Sequence, residues 1–281
     1  MDAVPPLWLK KPTGRPPVDF KTKILAVMIK TWHKQGYREA EVYIDENWET
    51  CAKHGIVQVP DHVTIWRTLR SLPETYLKRL NKKINRFLSL GRRIAADATG
   101  VGTRSFKRWV TVRAGRKASK RDYLKLHAIF QLPELNIPNM EVTDGEANDS
   151  PILKRLMREL PLDDIEAAAM DSGYLSRRNC TMLAEYGVRS ILIKPKKNTT
   201  ANSHGSKAWR NMILAYRENK EEWIRRYNSI RPLAESGFSA FKRTMGHWLT
   251  SLKRCMQRKE LITRVLVYNL RIAARTSLTE F

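Results

Sequence analysis

The chain has 281 residues, room for one large domain or two small ones, and its 42% hydrophobic content is enough to bury a core. Fifty-two basic against 28 acidic residues leave a formal charge of +24, a balance that sets it apart from a typical cytosolic enzyme and suits a polyphosphate partner, nucleic acid first. No apolar run approaches the roughly 18 residues of a membrane-spanning helix and no signal peptide opens the chain, so no membrane role and a cytoplasmic location are expected. Cys51, Cys180 and Cys255 are too few and scattered for a disulfide framework, and no Cys-x-x-Cys or His-x3-His spacing suggests zinc.

In chain order, residues 1–17 carry five prolines and read as an extended lead-in. Their Thr-Gly-Arg-Pro-Pro run is half of a minor-groove arm, or simply linker. From 18 to 90 the pattern is helical. Ile24, Leu25, Met28 and Trp32 recur at helical spacing up to Gly36, and a second helix is predicted over 38–48. After His54, Gly55 and Pro60, Asp61 caps a helix with apolar Val63, Ile65, Trp66 and Leu69 and outward Arg67 and Arg70. Short helices with tight turns and a basic last helix fit a helix-turn-helix in which Arg67 and Arg70 meet DNA. A structural or dimerising bundle would read similarly. Residues 73–88 read as a connecting helix.

At Gly91 the signals change to strands. Residues 92–101, 108–115 and 122–132 are short and rich in β-branched or aromatic residues, predicting three antiparallel strands. The third alternates, with Leu124, Leu126, Ala128 and Phe130 on one face. A helix over 150–160, a buried strand over 164–174, a helix over 177–187 and a strand over 189–195 follow, giving the order βββαβαβ. Asp149 and Ser150 read as caps of the first of these helices. One helix is then expected over 206–226. Another, over 248–270, has Leu252, Met256, Leu261, Val265 and Leu266 apolar and five basic residues opposite, either a solvated face or a DNA stripe.

Between these helices lies YNSIRPLAESGFSAFK, residues 227–242. At about 100° per residue, Arg231, Glu235 and Lys242 project from one face. Pro232 is tolerated only in a first turn, so the helix should begin near Ser229 with Tyr227 on the lead-in. Two further acids stand after strand-like runs, Asp97 in IAADATGV and Asp171 in IEAAAMDSGY. The spacing Arg-x3-Glu-x6-Lys behind a tyrosine, together with Asp97 and the Asp-x-Gly-Tyr turn at Asp171, resembles the DDE transposases of bacterial and archaeal insertion sequences over roughly 92–272. One departure is that three residues separate Tyr227 from Arg231, where the family more often has two.

The resemblance implies an α/β, ribonuclease H-like mixed sheet flanked by helices, in a catalytic domain over 91–281 behind a helical DNA-binding region over 18–90. It implies that Asp97, Asp171 and Glu235 are catalytic and hold two Mg²⁺ or Mn²⁺ ions, Asp97 bridging both. Hard oxygen ligands suit such ions, and an ion pair suits in-line phosphodiester displacement. Tyr227, Arg231 and Lys242 would grip DNA, and Lys194, Lys196 and Lys197, after the last strand, either flank the site or are merely solvated. The implied activity is cleavage at the element's ends and joining of the 3′ ends to target DNA. The implied partners are the terminal inverted repeats and target duplex, met by a homodimer at the nucleoid. A catalytically silent DNA-binding relative and a nuclease without strand transfer are the alternatives.

Overall fold

The computed structural model describes residues 18–88, 91–103, 123–158, 160 and 164–279. The proline-rich lead-in over 1–17 and the strand predicted over 108–115 lie outside the described residues. At the N-terminal end, Asp19 accepts the Thr22 amide at 2.9 Å and starts α1 (Phe20–Trp32). The helix predicted over 38–48 is α2 (Tyr37–Glu46), and after the backbone leaves helical geometry at Asn47 a short α3 (Trp48–Lys53) follows that the sequence did not announce. Asp61 caps α4 (His62–Ser71) through the Thr64 amide, as its position suggested, and α5 (Glu74–Asn85) follows Pro73. Ala26, Val27, Ala40, Ile44, Ile65 and Leu69 close a small core of their own, joined by Met256 from far along the chain. Val63 is more exposed than its apolar assignment implied.

The sheet has five strands in the order β3-β2-β1-β4-β5: β1 (Arg93–Gly102), β2 (Tyr123–Leu132), β3 (Asn136–Asp144), β4 (Ala167–Met170) and β5 (Ser190–Ile193). β1, β2 and β3 form an antiparallel meander, and β4 and β5 run parallel to β1. Three antiparallel strands followed by two parallel ones reached through helices make a ribonuclease H-like α/β fold, as expected. β3 is a strand the sequence did not announce. It contains Pro138, and as an edge strand it tolerates the missing amide.

Helices cover both faces. Ile94, Ala96, Ile129, Ala168 and Met170 pack with α6 (Asp149–Met157), α7 (Arg177–Glu185) and α8 (Lys207–Glu218). Ala95, Leu124, Leu126, Ala128, Phe130 and Ala169 pack on the other side with α5, α10 (Arg231–Met245) and α11 (Arg254–Thr279). The helix expected over 206–226 is broken at Asn219, whose side chain caps a separate α9 (Lys220–Asn228) by accepting the Glu222 amide. Gly237 lets α10 lie directly on β2, since a Cβ there would come within 2.5 Å of the Phe130 ring.

Gly246, at φ +91°, ends α10, so α11 starts at Arg254 rather than 248. The intervening loop returns to β1, Leu249 donating its amide to the Gly102 carbonyl at 2.8 Å, and Leu252, expected in the core, is exposed. Leu261, Val265 and Leu266 are buried. The basic side of α11 is largely spent within the molecule: Arg258 pairs with Glu74, Arg264 with Glu260, and Arg254 with Asp144. Buried amides stitch α5, β3 and α11 together. Asn269 accepts from Ile137 N at 2.9 Å and donates to Asn81 Oδ1 at 2.7 Å, while Asn136 donates to Asn85 Oδ1 at 2.7 Å.

Candidate active site

Strand register assembles the first half of the site. The β1–β4 ladder ends at Ala96 opposite Met170, and the β4–β5 ladder at Met170 opposite Ile193. One step further along these three strands stand Asp97, Asp171 and Lys194. With neighbouring strands about 4.8 Å apart, the backbones of Asp97 and Asp171 are side by side. Alternation sets their direction: Ala95 and Ala169, two residues earlier, belong to the cluster that holds α10, so Asp97 shares that face and Asp171 continues it. Asp97 was expected at a strand end. It lies mid-strand instead, opposite Ala128 of β2, and only its pairing with β4 has ended. Asp171 leaves β4 in extended geometry and accepts the Gly173 amide at 2.8 Å, which shapes the turn Ser172–Tyr174.

α10 supplies the second half. Arg231, its first residue, reaches down to Asp97 Oδ2 at 3.2 Å and along its own helix to Glu235 Oε1 at 3.1 Å. The guanidinium is thus wedged between two of the three acids. Asp97 is 15% exposed, whereas Glu235 is 70% exposed. Burial pushes the Asp97 carboxyl above its usual range despite Arg231, and the charges of Asp171 and Glu235 push it further the same way. A buried carboxylate left under-neutralised by its own surroundings is a place where added positive charge is favourable.

Lys242 shares the helix face with Arg231 but not its partner. Its ammonium donates to Thr99 Oγ1 at 2.7 Å, two residues beyond Asp97 on β1, and burial lowers its pKa. Arg231 and Lys242 are about 16 Å apart along the helix, yet reach strand positions about 7 Å apart, so their long side chains converge. Tyr227, expected on a lead-in, is helical. It sits in the last turn of α9, stacked on Trp223 at 5.3 Å, where burial raises its pKa and Arg231 and all three acids act on its phenol. Lys194, Lys196 and Lys197 are exposed beside the strand ends. Arg67 and Arg70 are exposed on α4, with Arg70 over the Trp66 ring at 5.1 Å.

A further acid has a part other than the one its position suggested. Asp149 is not a cap, since Asn148 holds that position. Its carboxylate lies instead 2.7 Å from Lys125 Nζ and 3.2 Å from the fully buried His127 Nδ1. A Cβ on Gly173 would stand 2.9 Å from Asp171 Oδ1 and 3.6 Å from Asp149 Oδ2, so the two carboxylates flank that glycine. Burial works against the Asp149 charge, but the close approach of His127 and Lys125 outweighs it and lowers its pKa. Tyr174 is buried between the groups, its pKa raised by desolvation and then by Asp149, Asp97 and Asp171. Asn179 ties this turn to α6, donating to the Tyr174 carbonyl at 2.8 Å and to Ser150 Oγ at 3.0 Å.

Among the described residues, no three His, Cys, Asp or Glu side chains sit at the spacing of a metal site. The donors of Asp97, Asp171 and Glu235 nevertheless fit a hard divalent cation: all are carboxylate oxygens, Asp97 is under-neutralised, and a cation already stands between two of them, the Arg231 guanidinium. Among the described residues, no helix is long and apolar enough to cross a membrane.

A ribonuclease H-like sheet with two carboxylates just past the ends of its parallel ladders thus faces a helix that carries a third. The chain belongs to the family of the transposase DDE domain, which matches residues 89–270. Members of that family are transposases, enzymes that act on DNA and generally use divalent metal ions. No curated protein matches the chain significantly. Among solved structures the chain is similar to a piggyBac transposase synaptic complex with hairpin DNA, at 11% identity and a TM-score of 0.45, over 95% of this chain and 69% of that one.

Proposed function

We propose that the protein binds the ends of an insertion sequence, cleaves DNA at the element termini and joins the 3′ ends to target DNA. The observation that carries this reading is the register that sets Asp97 and Asp171 side by side beneath Glu235 of α10. Asp97, Asp171 and Glu235 would hold two Mg²⁺ or Mn²⁺ ions, which when bound favour attack and departure at an in-line phosphodiester. The chain's own residues do the rest. Arg231 and Lys242 hold phosphates from two sides of Glu235, Tyr227 orients the strand from α9, and Lys194, Lys196 and Lys197 extend the grip past β5. Residues 18–90 serve as the end-binding region through Arg67 and Arg70, behind the lead-in of 1–17, and 91–281 as the catalytic domain. A homodimer would bring two ends together, and the charge of +24 suits work on chromosomal DNA at the nucleoid.

A strand-transfer assay tests the proposal. The protein is incubated with Mg²⁺, the DNA flanking its gene and a target plasmid, and the ends are mapped. Cleaved ends joined to target support it. Cleavage without joining makes the protein a nuclease, and binding without either makes it catalytically silent.

A further inference from the structure

We infer that Arg231 is a built-in counter-ion that keeps the acid site closed to divalent cations until a DNA phosphate draws it away, making metal binding contingent on DNA. This deepens the proposed function and rests on Asp97, Asp171 and Glu235 being the metal-binding acids.

The position of Arg231 is the first observation. It is the first residue of α10, and a helix N-terminus carries partial positive charge that disfavours a cation. What holds Arg231 there is therefore the acids, Asp97 at 3.2 Å and Glu235 at 3.1 Å. A guanidinium wedged between those oxygens occupies the space a shared cation would need, and like charge keeps the two from coexisting at close range. The second observation is that Arg231 is incompletely satisfied where it is. Its side chain is 13% exposed and its Nε is buried with no hydrogen-bond partner, a donor left unmade at some cost. A phosphate, with several acceptor oxygens, matches the guanidinium fork that two separate carboxylates meet only in part. The third is access. Glu235, one of the two acids the guanidinium bridges, is 70% exposed, so the site is open on that side. Lys242 at Thr99 and the exposed Lys194 one step past the β5 ladder add positive charge that draws a phosphate backbone towards the site. Swinging Arg231 onto a phosphate frees Asp97 and Glu235 together. By linkage, whatever factor DNA adds to metal affinity, metal adds to DNA affinity.

The test is titration of the full chain with Mn²⁺, the free ion being read by electron paramagnetic resonance, with and without a duplex of the DNA flanking the gene. The signal of an Asp97→Ala, Asp171→Ala chain with the same duplex is subtracted to remove ions held by DNA alone. Wild type should bind Mn²⁺ about tenfold more tightly with duplex than without, a usual size for coupling between sites. Arg231→Gln without DNA should bind Mn²⁺ about as tightly as wild type with DNA, and its response to duplex should shrink to less than about twofold. Arg231→Lys, which keeps a charge but loses the fork, should fall between. Equal Mn²⁺ affinity of wild type with and without DNA, or Arg231→Gln binding no more tightly than wild type without DNA, overturns the inference while leaving the acid assignment standing. Mn²⁺ binding unaffected by loss of Asp97 and Asp171 overturns the acid assignment as well.

Discussion

Two partly buried acids flank the turn at Asp171, one on each side of the sheet, and their surroundings treat them oppositely. Asp149 meets a lysine and a fully buried histidine, both from β2. Those partners hold its carboxyl below the usual range even though burial works the other way. Asp97 meets one guanidinium, shared with Glu235, and faces two other acids, so burial wins and its carboxyl lies above the usual range. Burial therefore does not mark a working acid by itself. The charge of Asp149 is answered by two fixed groups and fastens α6 to the sheet, whereas that of Asp97 meets only the one guanidinium it shares with Glu235.

The comparison is broken most sharply by removing each acid in turn. Asp97→Ala, Asp171→Ala and Glu235→Ala should each lower single-turnover DNA cleavage by about a thousandfold or more, near 4 kcal/mol of barrier. Gel-shift affinity for the same DNA should change little. Normal cleavage by any one of them removes that residue from the site.

Asp149→Asn should act on stability instead, by about 1 to 3 kcal/mol in chemical denaturation, because Lys125 and His127 lose a charged acceptor in a mostly buried place. The pH dependence has a definite sign. The folded pKa of Asp149 is lowered, so its contribution is complete above the ordinary aspartate value near 3.9 and is lost as pH falls through the folded value. The gap between wild type and Asp149→Asn should thus be flat from neutral pH to about pH 5 and close in stronger acid. A gap that widens in acid contradicts the assignment.

Smaller effects should come from the far end of α10. Lys242→Ala should slow joining from pre-cut ends by about tenfold, the value of one charged contact with phosphate, and added Mg²⁺ should not restore it. Thr99→Val, which only unfastens the ammonium from β1, should cost a few-fold at most. Unchanged joining by Lys242→Ala at matched folding leaves Lys242 a packing residue.

Periodicity made much of this fold legible. Leu124, Leu126, Ala128 and Phe130 do share the face that meets α10, and the alanines before Asp171 do form a strand covered on both sides. The misses have local causes. β3 was hidden by Pro138 at an edge, and Asn219 broke a helix that periodicity alone would run through. In the site, the face shared by Arg231, Glu235 and Lys242 could be counted from the sequence. Their partners on β1 could not, because Asp97 and Thr99 are more than a hundred residues away and the register that presents them is a property of the sheet. Asp149 was misread because an aspartate before a helical run is usually a cap, and nothing local announces that His127 and Lys125 wait across the sheet.

The central claim is that Asp97 belongs to the chemistry and Asp149 to the scaffold. The most direct measurement sets Asp97→Asn beside Asp149→Asn in one single-turnover cleavage assay with Mg²⁺ and the DNA flanking the gene, each corrected for its folded fraction. Cleavage lost in Asp97→Asn and kept within a few-fold of wild type in Asp149→Asn is the predicted result. Cleavage retained by Asp97→Asn, or lost equally from both at full folding, would contradict it.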